Sequence, residues 1–286
     1  MRHTRIVVTR YGGPEAIRVL EEDRPEPKDG EARVRVLAAG VSLPDIMARE
    51  GIHPETPPVP FTPGWDLVGV VDRLGEGVSG IEPGQTVAAM PIHGAYAEFV
   101  CLPQRELVPV PSGLDAAEAV CLILNYITAD FVSEIRRLTG EGVDVVFDSM
   151  GGAHIWRSRE ALRRGGKVVA YGLTGSLRGG RLASGRSGRR NRFGPIAIFA
   201  LYIAASWLLP GRRRVVPYSI QTLKRLRPAL FRQDLIALLD LLRQRKLKPL
   251  IARRLPLAQA RQAHELLGKG GIAGKIVLVC NGSSPG

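Results

Sequence analysis

Cysteine is scarce in this chain, and its placement excludes two architectures. Only Cys101, Cys121 and Cys280 occur, odd in number and far apart. That spacing gives neither a disulfide framework nor a zinc-type ligand set, so a reducing cytoplasm is the expected compartment. Long apolar runs are lacking too. "PIAIFALYIAASWLLP" offers 14 residues between Pro195 and Pro210, too few to cross a bilayer. The start, "MRHTRIVVTRYGGPE", is charged and strand-like rather than a signal peptide.

Acidic residues are missing from one whole block. Between Ala161 and Gln233 there is no Asp or Glu, against 16 Lys and Arg. The net charge is +13, yet the rest of the chain carries 24 basic and 27 acidic residues. The excess is therefore local, which argues against nucleic acid as a partner, since a binding fold would carry a basic face of its own. Arg186–Arg192 and Arg212–Arg214 bracket the apolar stretch, so an anionic membrane surface is a possible partner. A solvated loop is the plainer reading.

A dinucleotide-binding loop is lacking as well, although its spacing occurs. "LGEGVSG" (74–80) places Gly75, Gly77 and Gly80 as G-x-G-x-x-G. Such a loop must follow a strand and open a helix, so that the helix N-terminus meets the pyrophosphate. "LVGVVDRL" (67–74) supplies the strand. Pro83-Gly84 and "QTVAAM" follow, a turn and another strand, and no helix can start there. The motif is therefore read as a loop of a β-domain.

What is present divides the chain into three parts. Residues 1–122 hold short β-type runs broken by Gly and Pro, such as "RIVVTRY", "ARVRVLAAG" and "AYAEFVCLP", and read as a β-barrel-like domain. Ser112 is expected to cap the following helix. Residues 123–227 change period. "VDVVFDSMGG", the helix "AHIWRSREALRRGG" and the strand "KVVAYG" read as a parallel βαβ unit, with a third strand at "RRVVPYSI". Residues 228–286 contribute an amphipathic helix from Pro228, the helix "LAQARQAHELLGKG" and the strand "GKIVLVC".

Two stretches, "AAGVSLPDIMAREG…PPVPFTPGWDLVGVVDRLGEGVSGIEPGQTVAAMPIHGAYAEFV" and "PLAQARQAHELLGKGGIAGKIVLV", resemble the zinc-less quinone-oxidoreductase branch of the medium-chain dehydrogenase/reductases. The resemblance implies a GroES-like β-domain joined to a Rossmann-type parallel sheet, an α/β plus β fold. It also implies a homodimer built through the last strand of that sheet. The family reduces quinones or enones with NADPH. Zinc-dependent relatives carry Cys and His-Glu where this chain has Ser42 and Trp65-Asp66, so no metal is expected. In the family, "CLILNYITA" leads into two βαβ units. Here only 13 residues, 130–142, precede the next strand, whereas two such units need roughly 60. The phosphate-binding half of the Rossmann domain is thus expected to be missing, and no cofactor is expected.

The resemblance places Ser42 and Asp45 on a segment facing the cleft, and Asn125, Tyr126 and Thr128 on the lead-in helix. Asp148 and Tyr171 end parallel strands, where α/β sheets bind ligands. The expected roles are Asp45, Tyr126 and Tyr171 in proton transfer, with Ser42, Asn125, Thr128 and Asp148 binding substrate. Asp45 could instead pair with Arg49 at i, i+4. His53 and His93 fall in Pro/Gly-rich loops and are expected to be exposed, while His154 is expected at a helix N-terminus. The resulting expectation is a redox-neutral enzyme acting on an apolar carbonyl compound. An NADPH-dependent reductase with an atypical site and a non-enzymatic scaffold are the alternatives.

Overall fold

The computed structural model describes residues 1–53, 55–124, 142–148, 154–170, 200–201, 203–205 and 213–280. The chain forms two units, Met1–Asn125 with Arg232–Gly286, and Tyr126–Phe231.

The first unit is built around one long strand. β1 (Arg2–Val8) and β2 (Ile17–Asp23) pair antiparallel. β3 (Glu31–Val41) then pairs with both β4 (Leu67–Leu74) and β6 (Phe99–Pro103). β6 takes Glu31–Arg35 of this strand, whose register against β4 shifts at two bulges, Arg33/Val34 and Val36/Ala38, and bulges bend and twist a strand. β5 (Thr86–Ala89) and β7 (Val108–Pro109) extend the sheet beyond β4, while β11 (Ile251–Pro256) and β12 (Lys275–Val279) extend it from β3. The order is β11-β12-β3-β4-β5-β7, with β6 on β3. Alternate residues of "ARVRVLAAGV" fill one core, with Ala32, Val34, Val36, Leu67, Val87, Tyr96 and Leu278 buried.

Helices α1 (Leu43–Arg49) and α2 (Ala116–Leu124) belong to this unit. The α2 cap differs from expectation. Asp115 Oδ1 accepts from the Ala117 and Glu118 amides at 2.7 and 3.2 Å. A carboxylate three residues beyond Ser112 therefore fills the orphan donors of the first turn.

"LGEGVSG" is a β-loop between β4 and β5, as expected. The Gly75 amide donates to Glu31 O at 2.8 Å, and the Gly30 amide to Glu76 O at 2.7 Å. A Cβ on Gly75 would lie 2.0 Å from Lys28 O. Gly77 and Gly80 have φ of 74° and 75°, the left-handed region where glycine carries no Cβ penalty. Each glycine thus serves strand packing or a turn.

The second unit holds a parallel sheet of β8 (Val143–Asp148), β9 (Leu162–Ala170) and β10 (Arg214–Pro217), ordered β10-β9-β8 among the described residues. α3 (His154–Glu160) lies between β8 and β9 in sequence, giving the expected βαβ unit. The helix is shorter than its pattern suggested. "LRRGG" belongs to β9, because Gly166 approaches the Val143 and Asp144 carbonyls too closely for a Cβ, within 2.9–3.0 Å. The register shift between Val143 and Val145 lies there, and strand glycines commonly mark such bulges.

One face of this sheet is packed. Val146, Val168, Ala170 and Val215 bury against Ile155, Ala161 and Leu162. The other face carries Phe147, Val169 and Val216 in one cross-strand row, with Phe147 68% exposed. α4 (Ile220–Leu226), α5 (Pro228–Arg243) and α6 (Ala260–Lys269) follow in the chain. The amphipathic pattern of α5 is realised as a buried stripe of Phe231, Leu235, Leu239 and Leu242.

Candidate functional site

Ser42 and Asp45 form the N-terminal clasp of α1. The Ser42 amide and hydroxyl both donate to Asp45 Oδ2, at 2.9 and 2.6 Å, and the Gly64 amide donates to Oδ1 at 3.0 Å. Asp45 is fully enclosed, and burial pushes its carboxyl up to about 7 against the lowering pull of the Ser42 hydroxyl. The alternative pairing with Arg49 is not formed. Arg49 instead holds Glu50 at 2.8 Å, Gly12 O at 2.9 Å and His264 Nδ1 at 3.3 Å. The base role expected for Asp45 also loses its footing, since both oxygens are committed to donors of its own unit. The signal was legible, because Ser-x-x-Asp ahead of an apolar turn is a capping-box pattern.

The positions matched to zinc ligands are likewise committed. Asp66 Oδ2 accepts from Lys275 Nζ at 2.5 Å, and Oδ1 from the Gly40 amide at 3.0 Å. Both partners of this ion pair are buried. Ser42 brings no thiolate and Trp65 no imidazole, so these residues do not fit zinc. Among the described residues no cluster of three His, Cys, Asp or Glu is placed for a metal.

Trp65 stands instead in a group of rings. Its indole meets His53 edge-on at 5.0 Å between centroids and His93 at 6.3 Å, while Phe61 meets His93 at 5.7 Å. Backbone bonds bring the two loops together: Ile92 N–H to Trp65 O, Gly94 N–H to Thr62 O, Ala95 N–H to Gly64 O and Tyr96 N–H to Pro63 O. His53 and His93 are half-buried rather than exposed. Burial lowers both imidazoles, His53 to about 4 and His93 below its ordinary value. Both are therefore neutral near pH 7. The sequence singled out these histidines but placed them in solvent, because Pro and Gly neighbours say nothing of a second loop packing on top.

In the second unit, Asp148 ends β8 with its carboxylate buried. Its Oδ2 accepts from Ser158 Oγ at 2.5 Å and lies 3.0 Å from His154 Nδ1. His154 begins α3, as expected. Asn125, Tyr126, Thr128 and Tyr171 lie outside the described residues, as do the Arg186–Arg192 stretch and most of the apolar segment. No described helix is long and apolar enough to cross a membrane.

Comparison with known families gives this arrangement a place. Residues 114–278 match the zinc-binding dehydrogenase model, and residues 28–112 match the alcohol dehydrogenase GroES-like domain. The chain belongs to the zinc-binding dehydrogenase family. Within the medium-chain dehydrogenase/reductase superfamily it falls in the quinone-oxidoreductase-like branch, with a GroES-like domain and a Rossmann-like domain. This member of the family is 24% identical to the human synaptic vesicle membrane protein VAT-1 homolog-like over 350 aligned residues, covering 96% of this chain and 80% of that protein. It is 32% identical to rat quinone oxidoreductase over 62% of this chain and 54% of that protein. Among solved structures, a probable oxidoreductase from Mycobacterium abscessus superposes with a TM-score of 0.75 at 22% identity, covering 98% of this chain and 99% of its own. The human VAT-1 homolog-like structure gives 0.72 at 22% identity, covering 99% and 100%. These structural likenesses establish the fold.

Proposed function

We propose that this quinone-oxidoreductase-like protein has given up the family's NADPH site and works without net redox on an apolar carbonyl compound. The observation that carries the reading is the fate of its G-x-G-x-x-G. Gly75 bonds the start of β3, while Gly77 and Gly80 turn the chain toward β5 rather than into a helix, so the three present no helix N-terminus to a pyrophosphate. Alignment length supports it. An alignment of 350 positions to the human relative exceeds this chain's 286 residues, so at least 64 positions face no residue here. That is about the size of two βαβ units sharing a strand. Without hydride transfer, the remaining chemistry is to polarise a carbonyl and move a proton. Tyr126 and Tyr171 are the proposed donors, with Asp45 reassigned to holding α1.

The test is a fluorescence titration with NADPH. A micromolar site corresponds to about −8 kcal/mol, most of which goes with the phosphate contacts. No saturation is expected up to about 100 μM, a level at which a micromolar site would be filled. A dissociation constant of tens of micromolar or tighter overturns the reading and restores a reductase.

A homodimer belongs to the same proposal. β10 is an edge among the described strands, with Val216 and Tyr218 exposed beside it. Pairing two such edges would cover open backbone groups. A monomeric mass by light scattering at micromolar concentration refutes it.

A further inference from the structure

The second unit gathers three polar side chains, Asp148, His154 and Ser158, at one end of its sheet. Asp148 is the last residue of β8. It is in register with Ala170, and Ala170 with Pro217, the last residues of β9 and β10. These ends make the C-terminal edge of a parallel sheet, where α/β folds take their ligands. His154 and Ser158 stand at i, i+4 on α3, so they share one helix face, and both bond Asp148.

The bonding sorts the three into roles. Asp148 and Ser158 are enclosed, at 1% and 0% exposure, whereas 20% of the His154 side chain is open to solvent. Asp148 Oδ2 accepts from Ser158 Oγ at 2.5 Å and lies 3.0 Å from His154 Nδ1. A carboxylate only accepts, so Nδ1 carries the imidazole hydrogen, and Nε2 of the neutral ring is the acceptor. Ser158 is not a nucleophile served by this histidine. It lies 3.4 Å from Nδ1 rather than beside Nε2, and its hydrogen goes to Asp148. What the cluster keeps of a Ser-His-Asp triad is its other half, a carboxylate that fixes the tautomer and stabilises the imidazolium once the ring takes a proton. The other four histidines of the chain are poorer bases. Burial lowers His3, His53, His93 and His264 below the ordinary imidazole value. Among the described residues, His154 alone of the five bonds an enclosed carboxylate.

We propose that His154, held by Asp148, is the base that moves the proton in this protein, and that its substrate is an apolar compound with a C–H next to a carbonyl. The inference rests on the redox-neutral reading of the protein. In the step, the Nε2 lone pair takes the proton, the C–H electron pair becomes the C=C bond of an enolate, and the C=O π pair moves onto oxygen. The imidazolium, held by the Asp148 carboxylate, then returns its proton to the enolate, so nothing is oxidised or reduced. His154 is the catalytic residue, and Asp148 and Ser158 position it. It fills the place that Asp45 leaves empty, since both Asp45 oxygens are committed at the start of α1.

The experiment uses the full chain and 1-tetralone, a flat ketone, in heavy water, with proton NMR following loss of the signal beside the carbonyl. Wild-type protein should speed this exchange over buffer, and His154→Gln should lower the added rate by about 100-fold or more with an unchanged thermal melt. Imidazole added to His154→Gly should restore part of the exchange, a rescue that a purely structural histidine would not give. Exchange that persists in His154→Gln overturns the proposal. A second measurement needs no substrate. Diethyl pyrocarbonate acylates neutral imidazoles, and peptide mass mapping ranks the five histidines. His154 is expected to react first, and at least about tenfold more slowly in Asp148→Asn, whose amide no longer fixes the ring. A His154 that reacts later than the others, or at the same rate in Asp148→Asn, overturns the proposal. If Asp148→Asn does not fold, the wild-type ranking decides. First-ranked, Asp148-dependent acylation without ketone exchange supports His154 as the base and places the failure on the carbonyl reading. NADPH is in neither assay, so both outcomes are separate from that of the cofactor titration.

Discussion

Lys275→Met is expected to lower the stability of the first unit by about 3–5 kcal/mol, the usual cost of stranding one member of a buried ion pair. Asp66 and Lys275 are both enclosed, with Nζ and Oδ2 2.5 Å apart. Methionine matches the length of the lysine stem, so packing is nearly kept and the loss is that of the counter-charge. For a unit of this size, each kcal/mol moves Tm by about 2–4 °C, so a fall of about 6–20 °C should appear in thermal denaturation followed by circular dichroism. The pair Asp66→Asn with Lys275→Met should recover much of the loss, because the amide keeps an acceptor for the Gly40 N–H and carries no charge. No side chain fits at Gly40 beside the pair. A Cβ there would lie 2.2 Å from Lys275 Cε and 2.3 Å from Asp66 Oδ1. A shift of Tm below about 2 °C in Lys275→Met would show that the pair does not hold this sheet.

Acid stability should depend on two buried groups that act in opposite directions. His264 is fully enclosed beside Arg49, and burial, with Arg49 adding to it, depresses its imidazole from 6.5 to about 3. The unfolded chain therefore binds this proton more tightly. The stability from His264 is present above about 6.5 and is lost as pH falls toward 3. Asp45 is the reverse. Burial raises it from 3.8 to about 7, so the folded state binds the proton more tightly. Its contribution is present below 3.8 and is lost as pH rises through 7. Between pH 7 and 5 each term amounts to about 2 kcal/mol, and the two have opposite sign. Asp45→Asn should therefore lose about 2 kcal/mol more than wild type on going from pH 7 to 5, and His264→Gln about 2 kcal/mol less. Urea denaturation at the two pH values measures both differences. Parallel curves for the three proteins would remove the linkage.

The local parts of this fold could be read from residue order. "LVGVVDRL" reads as a strand over 67–74 and is β4 over Leu67–Leu74, because apolar β-branched residues meet turn residues at its end. Gly75–Gly80 is legible as a β-loop for the same reason. β2 was not anticipated, since "IRVLEED" is mostly exposed and shows no clean alternation. Asp115 displaced Ser112 as a cap, a choice between two competent residues that only the helix start decides. The site was less legible. Asp66 and Lys275 are 209 residues apart, and no periodicity links them. Trp65 and His93 meet because the 62–65 and 91–96 segments bond backbone to backbone, and neither loop alone carries that information.

The course of the chain imposes an order of events on its synthesis. β12, the strand bearing Lys275, lies between β11 and β3 inside the larger sheet, yet it is made only after the whole of the second unit. Until then β3 lacks one neighbour and Asp66 stands without its cation. The nascent first unit must therefore wait, with an open edge, while about a hundred residues of another unit leave the ribosome at about 5–20 residues per second. Its completion is a ring closure across the sequence, and the second unit sits inside that ring as an insert.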